Sequence, residues 1–222
     1  MLFAAGFGTR MRPLTDYMPK PMIPVSGRCL IDYAIDIATG VSPENIVANL
    51  HYMPRQLAAH LTPRGVQTIV EKPDILDTGG GLRNALPLLG SGPVMTLNTD
   101  AVWTGPNPLS ALLRAWDPHQ MDGLLMCVPP ARAVGRLGAG DFVPDNAGRL
   151  SRGPGDIYGG AQIIKTELLH EITDSVFSLN RVWDMMLTHG RLFGIHHTGQ
   201  WCDVGHPEGI GLAETMLSRA NV

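Results

Sequence analysis

The sequence predicts an α/β fold of three layers, α/β/α, around a mostly parallel, mixed central sheet. Three observations predict it. Short apolar runs of strand length alternate with stretches of helical spacing from residue 2 to residue 128. The chain opens on a glycine loop directly behind the first such run, in "AAGFGTRMRPLT". The 222 residues, 44% apolar and 17% charged, suffice for one well-buried domain.

Each element follows in order. "LFAA" is an apolar run stopped by Gly6, and reads as the end of a buried strand. Only Met1 to Ala5 stand before the loop, so this strand is expected to be short. From Leu30, the positions Leu30, Ala34, Ile37, Ala38 and Val41 repeat with helical spacing, and Gly40 closes the helix. "NIVANL" reads as a buried strand, "MPRQLAAHL" as a helix, "VQTIVE" as a strand and Gly80 to Leu89 as a helix. The strand "PVMTLN", the helix "PLSALLRAW" and the strand "GLLMCV" follow. Exchange at this pace requires crossover connections, hence a parallel sheet with helices on both faces.

After Pro129 the rhythm breaks into a stretch rich in Gly, Pro and Asp, which reads as turns and hairpins. Pattern returns with the strand "GAQIIK", a helix near "LNRVWDMMLTH", the strand "RLFGIHH" and a helix from Pro207 to Leu217. Trp183, Met185, Met186 and Leu187 are expected in the core. There is no internal repeat and no linker, so residues 1–222 are expected to form one domain.

Composition excludes several roles. A formal charge of −3 gives no reason to bind nucleic acid or an anionic membrane. Cys29, Cys127 and Cys202 are widely spaced and odd in number, which suggests neither a disulfide framework nor a zinc site and fits a reducing cytoplasm. No apolar run approaches the roughly 20 residues of a membrane span, and no signal peptide is evident. His51 and His60, or His196 and His197, could be imagined as metal pairs. No neighbouring carboxylate or cysteine completes a ligand set, so they are expected to be ordinary strand or surface residues.

Glycines behind a buried strand let backbone N–H groups approach an anion, typically phosphate. The dinucleotide fingerprint G-x-G-x-x-G is not met, because Thr9, Arg10 and Met11 follow Gly6-Phe7-Gly8. A P-loop would need lysine and Ser or Thr straight after its last glycine, and neither is present. What stands here is G-x-G-T-R-x-R-P-L-T, then Pro19-Lys20-Pro21.

This opening, with "PVSG" after it and "LDTGGGLRNALPLLG", "LNTD" and "WCDVGHPE" downstream, closely resembles the sugar-phosphate nucleotidyltransferase family. The resemblance implies a Rossmann-like nucleotidyltransferase fold, with residues 1–128 binding nucleotide and 129–222 binding sugar. It implies transfer of a nucleotidyl group from a nucleoside triphosphate to a sugar 1-phosphate with Mg²⁺. The compact length, "TGGG" before "ALPLLG", and "GDF" at Gly140 to Phe142 most resemble uridylyltransferases that act on N-acetylmuramate 1-phosphate. Guanylyl transfer to mannose 1-phosphate, cytidylyl transfer to phosphocholine and a non-catalytic nucleotide-sugar-binding regulatory module remain as alternatives. A monomer or homodimer is expected.

The resemblance also assigns residues. Ala5, Gly6, Gly8, Thr9 and Arg10 would embrace the triphosphate, while Arg12 either joins them or points outward as a solvated surface arginine. Lys20, between two prolines, would reach the α-phosphate or the sugar phosphate. Asp100, after "LNT", and Asp203, in "WCDVG", would share one Mg²⁺, which takes few protein ligands. Arg10, Lys20 and Asp100 are therefore the expected catalytic residues. Thr99 stands where the family usually has glycine. Asp77, Gly79 and Gly80 would meet the nucleobase edge and ribose, although a plain helix cap by Asp77 or Thr78 is the alternative. Glu71 matches an acidic position before that motif, and Lys72 of "EKP" is discounted. Gly140, Asp141, Gly159 and Gly160 would contact the sugar, the last two in a strand where a glycine lets it lie against the backbone and Gly159 stands where others have Ser or Thr.

Overall fold

The structure, a computed structural model, describes residues 1–136 and 138–220. The chain runs through β1 (Leu2–Phe3), a loop of 3-10 turns, and the hairpin β2 (Pro24–Val25) and β3 (Arg28–Cys29). It continues with α1 (Leu30–Thr39), β4 (Val47–Leu50), α2 (Pro54–Leu61), β5 (Gln67–Val70), α3 (Asp77–Leu89), β6 (Val94–Asn98), β7 (Ala101–Trp103), α4 (Pro108–Ala115) and β8 (Gly123–Val128). Then come β9 (Ala133–Val134), β10 (Phe142–Pro144), β11 (Leu150–Arg152), β12 (Ile157–Ile164), α5 (Leu179–Thr188), β13 (Leu192–His196), β14 (Trp201–Asp203) and α6 (Glu208–Ala220).

Seven strands form the central sheet in the order β13-β8-β12-β6-β1-β4-β5. β1 lies between β4 and β6 and is parallel to both. β5 parallels β4 and β13 parallels β8, while β12 runs antiparallel to both of its neighbours. Alternate residues of each strand face opposite cores. Leu124 and Met126 of β8 join Ile31 and Ala34 of α1, Leu57 of α2 and Leu112 of α4 on one face. Leu125 and Cys127 join Leu82 and Ala85 of α3 with Val182, Trp183 and Met186 of α5 on the other. This is the expected three-layer arrangement, built from apolar helix stripes closing on a two-sided sheet.

A second sheet, β7-β14-β9, stands beside the first, with β14 antiparallel to β7 and parallel to β9. α6 packs on it through Ala213 and Met216, against Cys202, Val204, Met11 and Ile23. β7 is not expected from the sequence, because three residues are too few to show alternation. α3 begins at Asp77, one turn before the expected Gly80, because its glycines are helical residues held by packing. α6 begins at Glu208, with Pro207 just outside it. The irregular middle does contain a hairpin, β10 paired with β11. Among the described residues, no helix is long and apolar enough to cross a membrane.

Candidate active site

The loop after β1 is a run of open backbone donors. Met11 N–H and Arg12 N–H close 3-10 turns on Gly8 and Thr9, but the N–H groups of Gly6, Phe7, Gly8, Thr9 and Arg10 take no partner among the described residues. Successive free N–H groups of this kind make an anion-binding concavity. A Cβ on Gly6 would meet nothing within 4 Å, so that face is open. Gly8 has φ +62°, and a Cβ there would stand 2.8 Å from Lys20 Cβ and 2.9 Å from Thr15 Cγ2. Thr15 Oγ1 donates to the Gly8 carbonyl at 2.9 Å, which holds the curl of the loop.

The loop is tied to its neighbours from below. Ala4 N–H donates to Asn49 Oδ1 at 3.0 Å, and Asn49 Nδ2 donates to Glu71 Oε1 at 2.7 Å. Glu71 Oε2 in turn accepts the Leu76 N–H at 2.8 Å. Buried Asn49 and Glu71 therefore join the ends of β1, β4 and β5 to the start of α3. Glu71 is a scaffold residue, and a Cβ on Gly81 would strike its carboxylate at 2.6 Å.

Lys20 begins a 3-10 turn, Lys20–Met22, behind the extended Pro19. It is only 9% exposed, and its Nζ donates to Asp100 Oδ2 at 2.8 Å. Asp100 sits in the bend between β6 and β7, and its carbonyl accepts the Val204 N–H at 2.9 Å. The next ladder pair is Ala101 with Asp203, so the two aspartates stand at one end of the small sheet. Burial raises the Asp203 carboxyl above its ordinary range, and the charge of Asp100 raises it further against Lys20, Arg136 and Arg10. A Cβ on Gly205 would lie 3.1 Å from both Asp203 carboxylate oxygens, so that side is left clear by a glycine. Two oxygen-donor groups beside an open face fit a hard divalent cation that completes its shell with water and phosphate.

Three adjoining cavities form the cleft at the carboxyl ends of β1 and β6. One, about 330 Å³, lies under Gly6 to Met11 with Lys20, Asp100 and Gly205. The next, about 260 Å³, is lined by Ala5, Gly6, Lys20, Asn49, Asp77 and Asp100 among others. The last, about 270 Å³, shares Phe3, Asp77, Thr78 and Asn98 with it and continues to Arg136, Asp141, Arg152, Tyr158 and Trp183. A phosphate end and a broader polar end thus lie in one continuous groove.

Most expected site residues meet here: Ala5, Gly6, Gly8, Thr9, Arg10, Lys20, Asp77, Asp100, Asp141 and Asp203. Arg12 points away, its side chain 65% exposed beside Asp16. Several glycines have a different job from the one expected. The N–H groups of Gly79 and Gly80 both donate to the Phe177 carbonyl, and Cβ atoms there would strike Phe177 and Ser175. They admit the segment before α5 instead of presenting backbone to a nucleobase. Asp77 does not cap from outside: it is the first residue of α3, at φ +59°, and its Oδ1 accepts the Thr78 N–H. Gly159 is covered by the Trp103 ring, and Gly160, at φ +89°, makes room for Asn98, so neither lies open to a sugar. Gly140 allows contact with Gly155. Thr99 is buried, its hydroxyl donating to the Phe3 carbonyl.

Sequence reasoning does not single out Arg136, Arg152, Asn98 or Tyr158. Arg152 lies over the Phe142 ring at 4.7 Å, and its Nε and Nη2 donate to Asp184 Oδ1 at 3.0 and 2.8 Å. Arg136 Nη2 is 3.3 Å from Asp141 Oδ1, while Asp141 Oδ2 accepts the Tyr158 N–H. Trp183 is a core residue whose Nε1 donates to Gln162 and whose ring packs edge-on to Tyr158. Of the histidines, His51 donates to the Glu71 carbonyl, His196 meets Asp156 and His197 meets the Thr104 carbonyl. His60 is the exception, because Asp32 and Cys29 stand beside it.

Comparison with known proteins agrees with this geometry. The N-acetylmuramate alpha-1-phosphate uridylyltransferase of Caulobacter vibrioides is 36% identical over 234 aligned positions, covering 99% of this chain and 97% of that protein. The enzyme of the same description from Neisseria meningitidis serogroup B is 35% identical over 217 positions, covering 92% of each. In fold, the crystal structure of HddC from Yersinia pseudotuberculosis complexed with GMP-PN is similar, with a TM-score of 0.77 at 20% identity and 97% coverage of both chains. The MobA-like NTP transferase domain matches residues 1–171, the part that carries the glycine loop, Lys20 and Asp100. With that match and these relatives, the chain belongs to the MobA-like NTP transferase domain family and is a nucleotidyltransferase.

Proposed function

We propose that the protein transfers the uridylyl group of UTP to N-acetylmuramate 1-phosphate, releasing pyrophosphate and forming the UDP-sugar. The observation that carries this reading is the polar end of the cleft, where Arg136 and Arg152 face a cavity floored by Phe142, Tyr158 and Trp183. With phosphate assigned to the Gly6–Arg10 loop and Lys20, these arginines, each already beside one carboxylate (Asp141 and Asp184), suit a sugar that carries its own negative charge. N-acetylmuramate has a carboxylate on its lactyl group; mannose and choline have none. Arg152 Nη1 has no partner among the described residues, and a guanidinium fork is the preferred partner of a carboxylate. The two uridylyltransferase relatives support the same substrate.

The chemistry needs no general base. A phosphate monoester is largely a dianion above its second pKa of about 6, so the sugar-phosphate oxygen can attack the α-phosphorus directly while the bond to pyrophosphate breaks. The free N–H groups of Gly6 to Arg10, with the Arg10 guanidinium, hold the triphosphate by its outer oxygens. Lys20, placed between that loop and Asp100, neutralises charge where the two phosphates meet. Asp77 and Thr78 lie where ribose and base would enter, between the phosphate and sugar ends. Asp100 and Asp203 would hold Mg²⁺, which supplies charge neutralisation for the departing pyrophosphate.

A matrix of nucleoside triphosphates against sugar 1-phosphates, read by pyrophosphate release, tests this. UTP with N-acetylmuramate 1-phosphate should give the highest kcat/KM. A maximum at GTP with mannose 1-phosphate, or at CTP with phosphocholine, would replace the reading, and silence throughout would favour a non-catalytic sugar-nucleotide-binding module. Arg152→Ala should raise KM for N-acetylmuramate 1-phosphate by about tenfold, the loss of one charge-assisted hydrogen bond, and change KM for N-acetylglucosamine 1-phosphate little.

A further inference from the structure

Away from the cleft, the first turn of α1 and the last turn of α2 bring three metal-ligating side chains to one point. Cys29 is the residue before α1 and Asp32 lies three positions on, which places both on one side of the helix start. His60 comes from α2. Their sulfur, carboxylate and imidazole ligand atoms all lie within 4.8 Å of one another. The Asp32 and His60 side chains are 16% and 15% exposed, shielded but reachable, and Cys29 is half-buried.

A thiol, an imidazole and a carboxylate converging is a mixed S, N and O donor set. Thiolate disfavours Mg²⁺ and Ca²⁺, while zinc binds all three donor types in tetrahedral geometry. The surroundings already orient the ligands. Arg64 Nε is 3.1 Å from Asp32 Oδ1, and its Nη1 donates to the His60 carbonyl at 2.6 Å. Asp32 Oδ2 takes no partner among the described residues.

We propose that Cys29, Asp32 and His60 form a zinc site with a fourth position for water, separate from the Asp100 and Asp203 pair. His60 Nε2 and Asp32 Oδ1 now share a proton at 2.7 Å. Zn²⁺ displaces the thiol proton of Cys29 to solvent, while the neutral His60 ring carries its single proton on Nδ1 and offers Nε2 to the metal. The thiolate and carboxylate then balance the two positive charges, and neutral imidazole completes the set. Metal–ligand lengths of about 2.0 to 2.3 Å put tetrahedral ligand atoms about 3.3 to 3.7 Å apart. From the 2.7 Å His60–Asp32 contact and a spread of no more than 4.8 Å, His60 and Asp32 must separate by roughly half an ångström and Cys29 must close by at most about one, within reach of side-chain rotation.

The site is connected to the catalytic lysine by backbone. Leu30, next to Cys29, donates its N–H to the Ile23 carbonyl at 3.0 Å, and Ile23 N–H donates to the Lys20 carbonyl at 3.0 Å. Zinc at this point joins the start of α1 to the end of α2, and its effect is on stability, since none of its ligands reaches the cleft.

The test uses the full chain, stripped with chelator and kept in excess Mg²⁺ so that the carboxylate pair is not offered to the probe metal. Added Co²⁺ should give a thiolate-to-cobalt charge-transfer absorption in the near ultraviolet, at one equivalent per chain, which Zn²⁺ abolishes. Cys29→Ser should remove that absorption, and His60→Gln should weaken cobalt binding more than tenfold. Magnesium-supported turnover of Cys29→Ser should stay within twofold of the parent. A readout free of variants is alkylation of Cys29 by iodoacetamide, which Zn²⁺ should slow at least tenfold. No charge-transfer band in the parent protein, a band that survives Cys29→Ser, or alkylation indifferent to zinc would each overturn the site.

Discussion

Lys20 reaches Asp100 across 80 residues of sequence, and the pair carries the residue-scale argument. Lys20→Ala and Asp100→Asn should each lower kcat by about 10²- to 10³-fold, the usual loss when one group that stabilises transition-state charge is removed, with far-UV circular dichroism unchanged. Asp203 behaves differently towards stability. Its folded carboxyl titrates above the ordinary value, so the folded state holds its proton longer than the unfolded chain as pH rises. Raising pH through that window therefore costs stability, and at neutral pH the protein carries the unfavourable ionisation. Asp203→Asn should raise the Tm of the metal-free protein at pH 7 while abolishing turnover, and added Mg²⁺ should raise the Tm of the parent alone. Lys20, Asp100 and Asp203 were legible because short, specific motifs surround them. Arg136 and Arg152 were not, because they lie in the aperiodic stretch after β8, where no spacing says which way a side chain turns. Gly79, Gly80, Gly159 and Gly160 show a further limit. A glycine in sequence reports that a Cβ does not fit, but not whether ligand or protein fills the space.

At the scale of elements, the glycine loop contains two glycines with opposite requirements. Gly6 has open space where a Cβ would be, whereas Gly8 has a left-handed backbone and Lys20 and Thr15 against it. Gly6→Ala should leave thermal stability nearly unchanged and raise KM for the triphosphate, because the methyl group enters ligand space. Gly8→Ala should destabilise by about 1 to 3 kcal/mol and displace Lys20, lowering kcat as well. Denaturant titration and steady-state kinetics on the two variants separate these outcomes. The helices were legible from their apolar stripes, and the central strands from their runs of buried residues. β7 and β9 escaped because two or three residues cannot establish a period; their pairing with β14 is set by a partner distant in sequence.

At the scale of the molecule, the chain leaves β1 for β4 and β5 on one side and returns to β6 on the other. The carboxyl ends of strands diverge at such a reversal, which opens the crevice in which α/β proteins bind ligands. Alternation of elements in the sequence predicts the layers but not this strand order, nor the single antiparallel β12. The same two-faced burial decides thiol chemistry. Cys127 and Cys202 are buried and their thiols are pushed up to about 12, so they stay protonated at neutral pH. Thiol labelling of the zinc-free native protein should modify Cys29 alone, and all three cysteines after denaturation.

The ion pair between buried Lys20 and the partly exposed Asp100 has a consequence for timing. A free lysine at a surface keeps about 2 kcal/mol of rotamer entropy that a ligand must remove on arrival. Here the stem is already ordered by folding, packed against the loop it serves. On the proposed reading, an incoming phosphate would find a cation in place and have only to compete with Asp100 for it. Substrate binding would then be a change of partner for one ammonium group.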